Sequence, residues 1–216
     1  MSSLYADPDT LAAFNKREPH HPSLIGLSGY SRSGKDSVAE ILNTLYGHQR
    51  VAFADKLREL ALGIDPNIVV TQDEYSHLQD LRPYPGQHYV ARLSHLVEFL
   101  GWEQAKKFRE VRKTLQNVGN QAREVFGEDV WVKAAFSTLD RGAQYVVSDV
   151  RYKNEAREIL HRGGIVLRVT RPGVGPANDH ISEHDLADWA FDGYIENDGS
   201  LLDLQGTVMI ALGDLG

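Results

Sequence analysis

Three features of the sequence predict an α/β fold with a five-stranded parallel sheet between layers of helix. Short apolar runs of strand type recur at residues 24–27, 49–54, 144–148, 165–170 and 194–197. Helical periodicity separates most of them, as right-handed crossovers between parallel strands require. The first run passes directly into Gly29-Tyr30-Ser31-Arg32-Ser33-Gly34-Lys35, a glycine loop of the pattern G-x-x-x-x-G-K, and then into a helix.

That strand, loop and helix is the context in which such a loop holds phosphate. Gly29 and Gly34 let the backbone bend so that its N–H groups face inward. The helix N-terminus adds partial positive charge, and Lys35 brings a mobile ammonium. The helix after it carries Val38, Ile41, Leu42 and Leu45 on one stripe. The usual hydroxyl directly after the lysine is replaced by Asp36, and Ser37 follows one place later. Asp36 is either a Mg²⁺ ligand, directly or through water, or an acid favoured in a helix's first turn.

With 216 residues, 42% hydrophobic and 25% charged, the chain is long enough for one sizeable core, or for one domain with an inserted lobe. It has no cysteine, which excludes a disulfide framework and thiolate metal sites and is compatible with a reducing cytosol. The net charge of −7 argues against broad binding to nucleic acid or anionic membrane but allows a small anion held by local cations. No run approaches the length of a membrane span. Residues 1–22 are polar, contain acids and lack a signal core, so they read as a leader before a domain at 23–216, in a cytoplasmic protein.

Along the chain, Asp55, Lys56 and Arg58 follow the second strand where an open α/β sheet binds ligands; a solvated first turn is the equal alternative. Residues 63–107 carry Pro66, Pro83, Pro85 and Gly86, with a turn at Arg82-Pro83-Tyr84-Pro85-Gly86 and a helix at 92–100. They read as an insertion, the usual source of a lid or substrate lobe, placed at about 63–108. Residues 109–126 form a helix with an apolar seam of Val111, Leu115, Val118, Ala122 and Val125, and residues 129–139 continue as helix. Arg112, Gln116, Gly119 and Arg123 border that seam, facing either a cleft or solvent. Trp131 reads as core before ligand contact.

The strand at 144–148 delivers Asp149, a carboxylate placed to hold Mg²⁺ through water, and then Arg151. Asn178-Asp179-His180-Ile181-Ser182-Glu183-His184 has no firm ligand spacing and reads as a polar loop rather than a metal site. Arg112, Arg151 and Arg171, with Lys35, exceed the cations that one nucleoside triphosphate needs. The surplus points to a second phosphorylated ligand, and so to a transferase rather than a hydrolase.

These stretches resemble the bacteriophage deoxynucleoside monophosphate kinases of the P-loop nucleotide kinase superfamily. The residues that carry the likeness are Gly29–Ser37 (GYSRSGKDS), Phe53-Ala54-Asp55-Lys56-Leu57 and Arg112-Lys113-Thr114-Leu115-Gln116-Asn117-Val118-Gly119. Further on they are Trp131-Val132, Ser148-Asp149-Val150-Arg151 with Glu155, Arg171-Pro172-Gly173, the loop His180-Ile181-Ser182-Glu183 and Glu196-Asn197-Asp198-Gly199-Ser200. Asn120 departs from the family's usual Thr. The resemblance implies a three-layer P-loop kinase fold with a helical substrate or lid insertion. It implies transfer of the γ-phosphoryl of ATP to a deoxynucleoside monophosphate, with Mg²⁺, in the host cytoplasm if the protein is viral.

On that pattern Lys35 and the loop from Gly29 to Ser37 hold the β- and γ-phosphates, and Asp149 with Asp36 or Ser37 places Mg²⁺. Arg112 and Arg151 serve the acceptor phosphate and transition state. Gln116, Trp131 and Glu155 serve sugar and base, Arg171 is a lid arginine, and Asn197 borders the adenine. A homodimer stays open. The alternatives are a P-loop kinase of another small metabolite, of the dephospho-coenzyme A or sugar-acid type, and a non-kinase nucleotide-binding regulatory module.

Overall fold

The structure, a computed structural model, describes residues 22–71, 74, 89–140, 142–176 and 181–213. Most of the leader, the turn at Arg82–Gly86 and the loop positions Asn178, Asp179 and His180 lie outside these residues.

The described chain divides into two compact units. One comprises the described residues up to Phe53 and from Val132 onward; the other is Ala54–Trp131. The first unit is built on five strands, β1 (Leu24–Ser28), β2 (Gln49–Val51), β5 (Tyr145–Val150), β6 (Ile165–Thr170) and β7 (Gly193–Glu196). They lie in the order β2-β5-β1-β6-β7, and every pairing is parallel. Helices α1 (Lys35–Tyr46), α7 (Lys153–His161) and α8 (Leu201–Gly213) connect and cover them. All five residues of β1 are buried, as a central parallel strand covered on both faces demands. Ile25 and Leu27 pack with Val38 and Leu42 of α1, Val146 of β5, Leu167 of β6, Ile195 of β7 and Val208 of α8 in one core.

This order makes β1 the switch point: from β1 the chain runs through α1 to β2 on one side, and from β5 it crosses β1 to β6 and β7 on the other, so a crevice opens beyond the carboxyl end of β1. Register fixes what flanks that end. Ser28 pairs with Val150 of β5 and with Arg168 of β6, so the loop after Ser28 emerges between Asp149–Arg151 and Arg168.

The second unit contains most of α2 (Phe53–Ile64), a hairpin of β3 (Asn67–Val70) and β4 (Tyr89–Arg92), and the helices α3 (Leu93–Leu100), α4 (Trp102–Ala105) and α5 (Arg109–Phe126). The antiparallel hairpin was not expected in this stretch. It is held by the cross-strand register Asn67↔Arg92 to Val70↔Tyr89. Ile68, Val70 and Ala91 point into a core with Leu93, Leu96, Phe108 and Val111. Val125, expected in the α5 seam, is 71% exposed. The following helix, α6 (Val130–Phe136), is shorter than expected at both ends, and β2 is shorter at its end because α2 already begins at Phe53.

Candidate active site

The glycine loop bridges β1 and α1, and two close approaches explain its glycines. A side chain on Gly29, at φ 152°, would run into the Val169 carbonyl. A side chain on Gly34, at φ 105°, would collide with the amide nitrogen of Asn197. Gly34 also caps α1, where L-residues rarely adopt the required left-handed conformation. Arg32 adopts positive φ as well, at 68°, so the loop stores backbone strain beside a helix N-terminus. The Asn197 side chain donates to the Ser33 carbonyl at 2.9 Å, which ties the end of β7 to the loop.

Lys35 is folded over this cradle. Its Nζ donates to the carbonyls of Gly29 at 2.6 Å and Tyr30 at 2.8 Å. Burial lowers its pKa from 10.5 to about 8; nearby Arg151 and Arg168 push the same way, while Asp36 and Glu183 oppose. The Ser33 hydroxyl in the loop is buried and has no hydrogen-bond partner among the described residues. A glycine cradle, a lysine poised on its rim and an orphaned hydroxyl fit a bound phosphate chain.

A cleft beside the loop is lined by Ser28, Gly29, Tyr30, Arg151, Arg168 and Glu183. Arg168, like Glu183, is a cleft residue that sequence reasoning did not single out. Its guanidinium lies 4.7 Å from the Tyr30 ring centroid and 5.4 Å from that of Phe191, and Nη1 donates to Ser28 Oγ at 3.1 Å. The signal was one charged residue inside the apolar run IVLRVT. Arg151 pairs with Glu183 at 3.2 Å.

Of the other expected residues in this unit, Asp149 accepts from the Phe53 N–H at 2.8 Å through Oδ1. Asp36 is an exposed first-turn acid, 3.6 Å from Arg50, and Ser37 beside it is exposed. Among the described residues no group of three or more His, Asp or Glu is gathered for a metal. The donors fit a Mg²⁺ held by one or two oxygens of the chain, with phosphate and water supplying the rest. Glu155, expected at a sugar or base, is 3% exposed, and its Oε2 accepts from the N–H groups of Arg151 at 2.7 Å and Tyr152 at 3.0 Å. An acid at the third helical position satisfies donors that the helix cannot, so here Glu155 fixes the backbone that carries Arg151. Arg171 is exposed just past β6.

In the second unit, Arg58 pairs with Asp55 at 2.9 Å and lies 5.8 Å from the Trp102 ring, and Lys56 pairs with Glu59 at 2.8 Å. Arg112 and Gln116 are exposed, one turn apart on α5. Trp131, also expected at a sugar or base, is core: it is 5% exposed and its indole N–H donates to the Gly119 carbonyl at 3.3 Å.

A parallel sheet with a glycine loop and its lysine at the switch point defines a P-loop nucleotide-binding protein. Comparison narrows the class. The family model described as deoxynucleotide monophosphate kinase matches residues 89–208, more than half of the chain, and the chain belongs to that family. The deoxynucleotide monophosphate kinase of Escherichia phage RB69 is 26% identical, in an alignment covering 86% of this chain and 97% of the relative. A protein of Acanthamoeba polyphaga mimivirus, provisionally named a deoxynucleotide monophosphate kinase, is 27% identical over 76% of this chain and 81% of its own length. Among solved structures, the dephospho-CoA kinase of Campylobacter jejuni aligns over 89% of this chain and 96% of its own at 17% identity and a TM-score of 0.39, too loose a likeness to add to the assignment. The chain is therefore a nucleotide kinase. Among the described residues, no helix is long and apolar enough to cross a membrane.

Proposed function

We propose that this kinase transfers the γ-phosphoryl group of ATP to a deoxynucleoside 5'-monophosphate, yielding the diphosphate. The observation that carries the reading is Lys35 resting on the Gly29 and Tyr30 carbonyls, with Arg151 and Arg168 in the adjoining cleft. Phosphoryl transfer asks little covalent chemistry of the protein; it asks for two anionic groups held in line and for neutralisation of the charge that moves between them. Lys35 leaves the carbonyls and follows the β- and γ-phosphates, which the loop N–H groups cradle. Arg151 presents a planar fork to the acceptor phosphate. Arg168 holds Tyr30 and the loop's start rather than the ligand, given its stacking between two rings.

Asp149, with Asp36 or Ser37, would hold Mg²⁺; when bound, the ion neutralises phosphate charge and orients the donor. On the family resemblance, Arg112 and Gln116 on α5 are assigned to the acceptor, and the insertion at about 63–108 to a substrate lobe. Arg171 is assigned to a lid. The names of the viral relatives support this acceptor class and a place in the host cytoplasm.

The test is a coupled assay of diphosphate formation with ATP and each deoxynucleoside monophosphate in turn. Turnover of at least one is expected. Turnover of none, with activity on a non-nucleotide acceptor, would reject the reading.

A further inference from the structure

We infer that Glu183 is a positioning residue of this kinase, aiming the Arg151 guanidinium at the acceptor phosphate. The inference rests on the assignment of Arg151 to that phosphate. The Glu183 side chain is only 7% exposed, and its Oε1 accepts from Arg151 Nη1 at 3.2 Å. Carboxylates stay buried when a partner compensates their lost hydration, and here the partner is a cation of the phosphate cleft. Because one nitrogen of the fork takes this bond, other N–H groups remain for a ligand, and the Arg151 side chain is still 43% exposed.

The carboxylate is not on a free arm. It sits on a 3₁₀ turn (Ile181–Glu183) whose continuation is fastened to the start of α7: Asp185 accepts from the Lys153 N–H at 2.7 Å, and Asp188 pairs with Lys153 Nζ at 2.7 Å. From the other side, Glu155 holds the Arg151 N–H at 2.7 Å. Backbone and side chain of Arg151 are thus fixed by two different carboxylates before any ligand arrives. Such preorganisation spares the cost of ordering a long side chain when phosphate binds.

A double-mutant cycle tests this. Glu183→Ala should raise the KM and the calorimetric Kd for the acceptor monophosphate by roughly tenfold, the scale of a charge-assisted hydrogen bond, with the KM for ATP nearly unchanged. In an Arg151→Ala background, assayed well below the pH near 8 at which Lys35 loses its proton, the same substitution should add little to the acceptor Kd, because there Glu183 reaches the acceptor through Arg151. Additive effects would overturn the inference. So would an equal rise in Asp188→Asn, which loosens the same turn away from the cleft. Glu183→Gln, which keeps shape and one acceptor oxygen, should show a smaller rise in the same direction, and serves if the alanine variant does not fold; an unchanged acceptor affinity in it would overturn the inference. If instead Arg151→Ala leaves acceptor binding intact, the assignment of Arg151 falls, an outcome distinct from an inert Glu183 beside an essential Arg151.

Discussion

Asn197 and Ser33 are joined across 164 positions of sequence by one hydrogen bond, the side-chain amide of the first donating to the carbonyl of the second. The residue expected beside an adenine therefore braces the phosphate loop. The same amide stands where a side chain on Gly34 would have to go. Asn197→Ala should cost about 1 kcal/mol of stability and raise the KM for ATP several-fold by loosening the loop. Gly34→Ala should be far worse, and Asn197→Ala should relieve only its steric part, because the left-handed backbone at 34 remains strained. Thermal melts and ATP titrations of the single and double variants check both.

Lys35→Ala should leave the fold intact and lower kcat by roughly 10² or more, as loss of a donor to a developing charge does. The free enzyme's ammonium deprotonates near pH 8, so kcat/KM for ATP should fall on the alkaline side with a midpoint near that value. In Lys35→Arg that limb should vanish, since guanidinium keeps its proton. A profile flat to pH 9.5 in the wild type would assign the charge elsewhere.

Asp149→Asn should shift the Mg²⁺ dependence of turnover to higher concentration. Asp149 also holds the Phe53 N–H, which asparagine retains through its carbonyl oxygen, so melting should change little. An unaltered Mg²⁺ titration would remove Asp149 from the metal.

His48 is fully buried, with Nε2 2.9 Å from the Pro22 carbonyl, so that nitrogen carries the proton and donates. Burial lowers its pKa below the ordinary 6.5. As pH falls below 6.5 the unfolded chain takes up a proton that the folded chain refuses. His48 therefore contributes stability above 6.5 that is lost on acidification. Denaturation midpoints at pH 7.5 and 5.5 should differ more in the wild type than in His48→Gln.

The sheet and its phosphate loop were legible because the central strands β1, β5 and β6 are mostly apolar runs and the loop has fixed spacing. Both are local signals, and β6 appears where residues 165–170 predicted it. The hairpin was not, because each of its strands has four residues and its pairs run from Val70↔Tyr89 out to Asn67↔Arg92, well beyond a tight turn. Arg168 was visible as an oddity in a buried strand, but the two rings that hold it, Tyr30 and Phe191, are brought there only by tertiary folding. Glu155 and Trp131 matched a motif yet face inward. A pattern of residue types records that a side chain matters without saying whether it meets a ligand or a backbone amide.

Phe53 and Phe136 stack edge to face with centroids 5.7 Å apart, and everything from Ala54 to Trp131 leaves and re-enters the chain between them. A segment whose flanks, Phe53 and Phe136, meet in such a contact can be lengthened, trimmed or traded without redrawing the strand order of the first unit. On the proposed assignment, a change of acceptor could be accommodated there while the loop that carries Lys35 stays as it is.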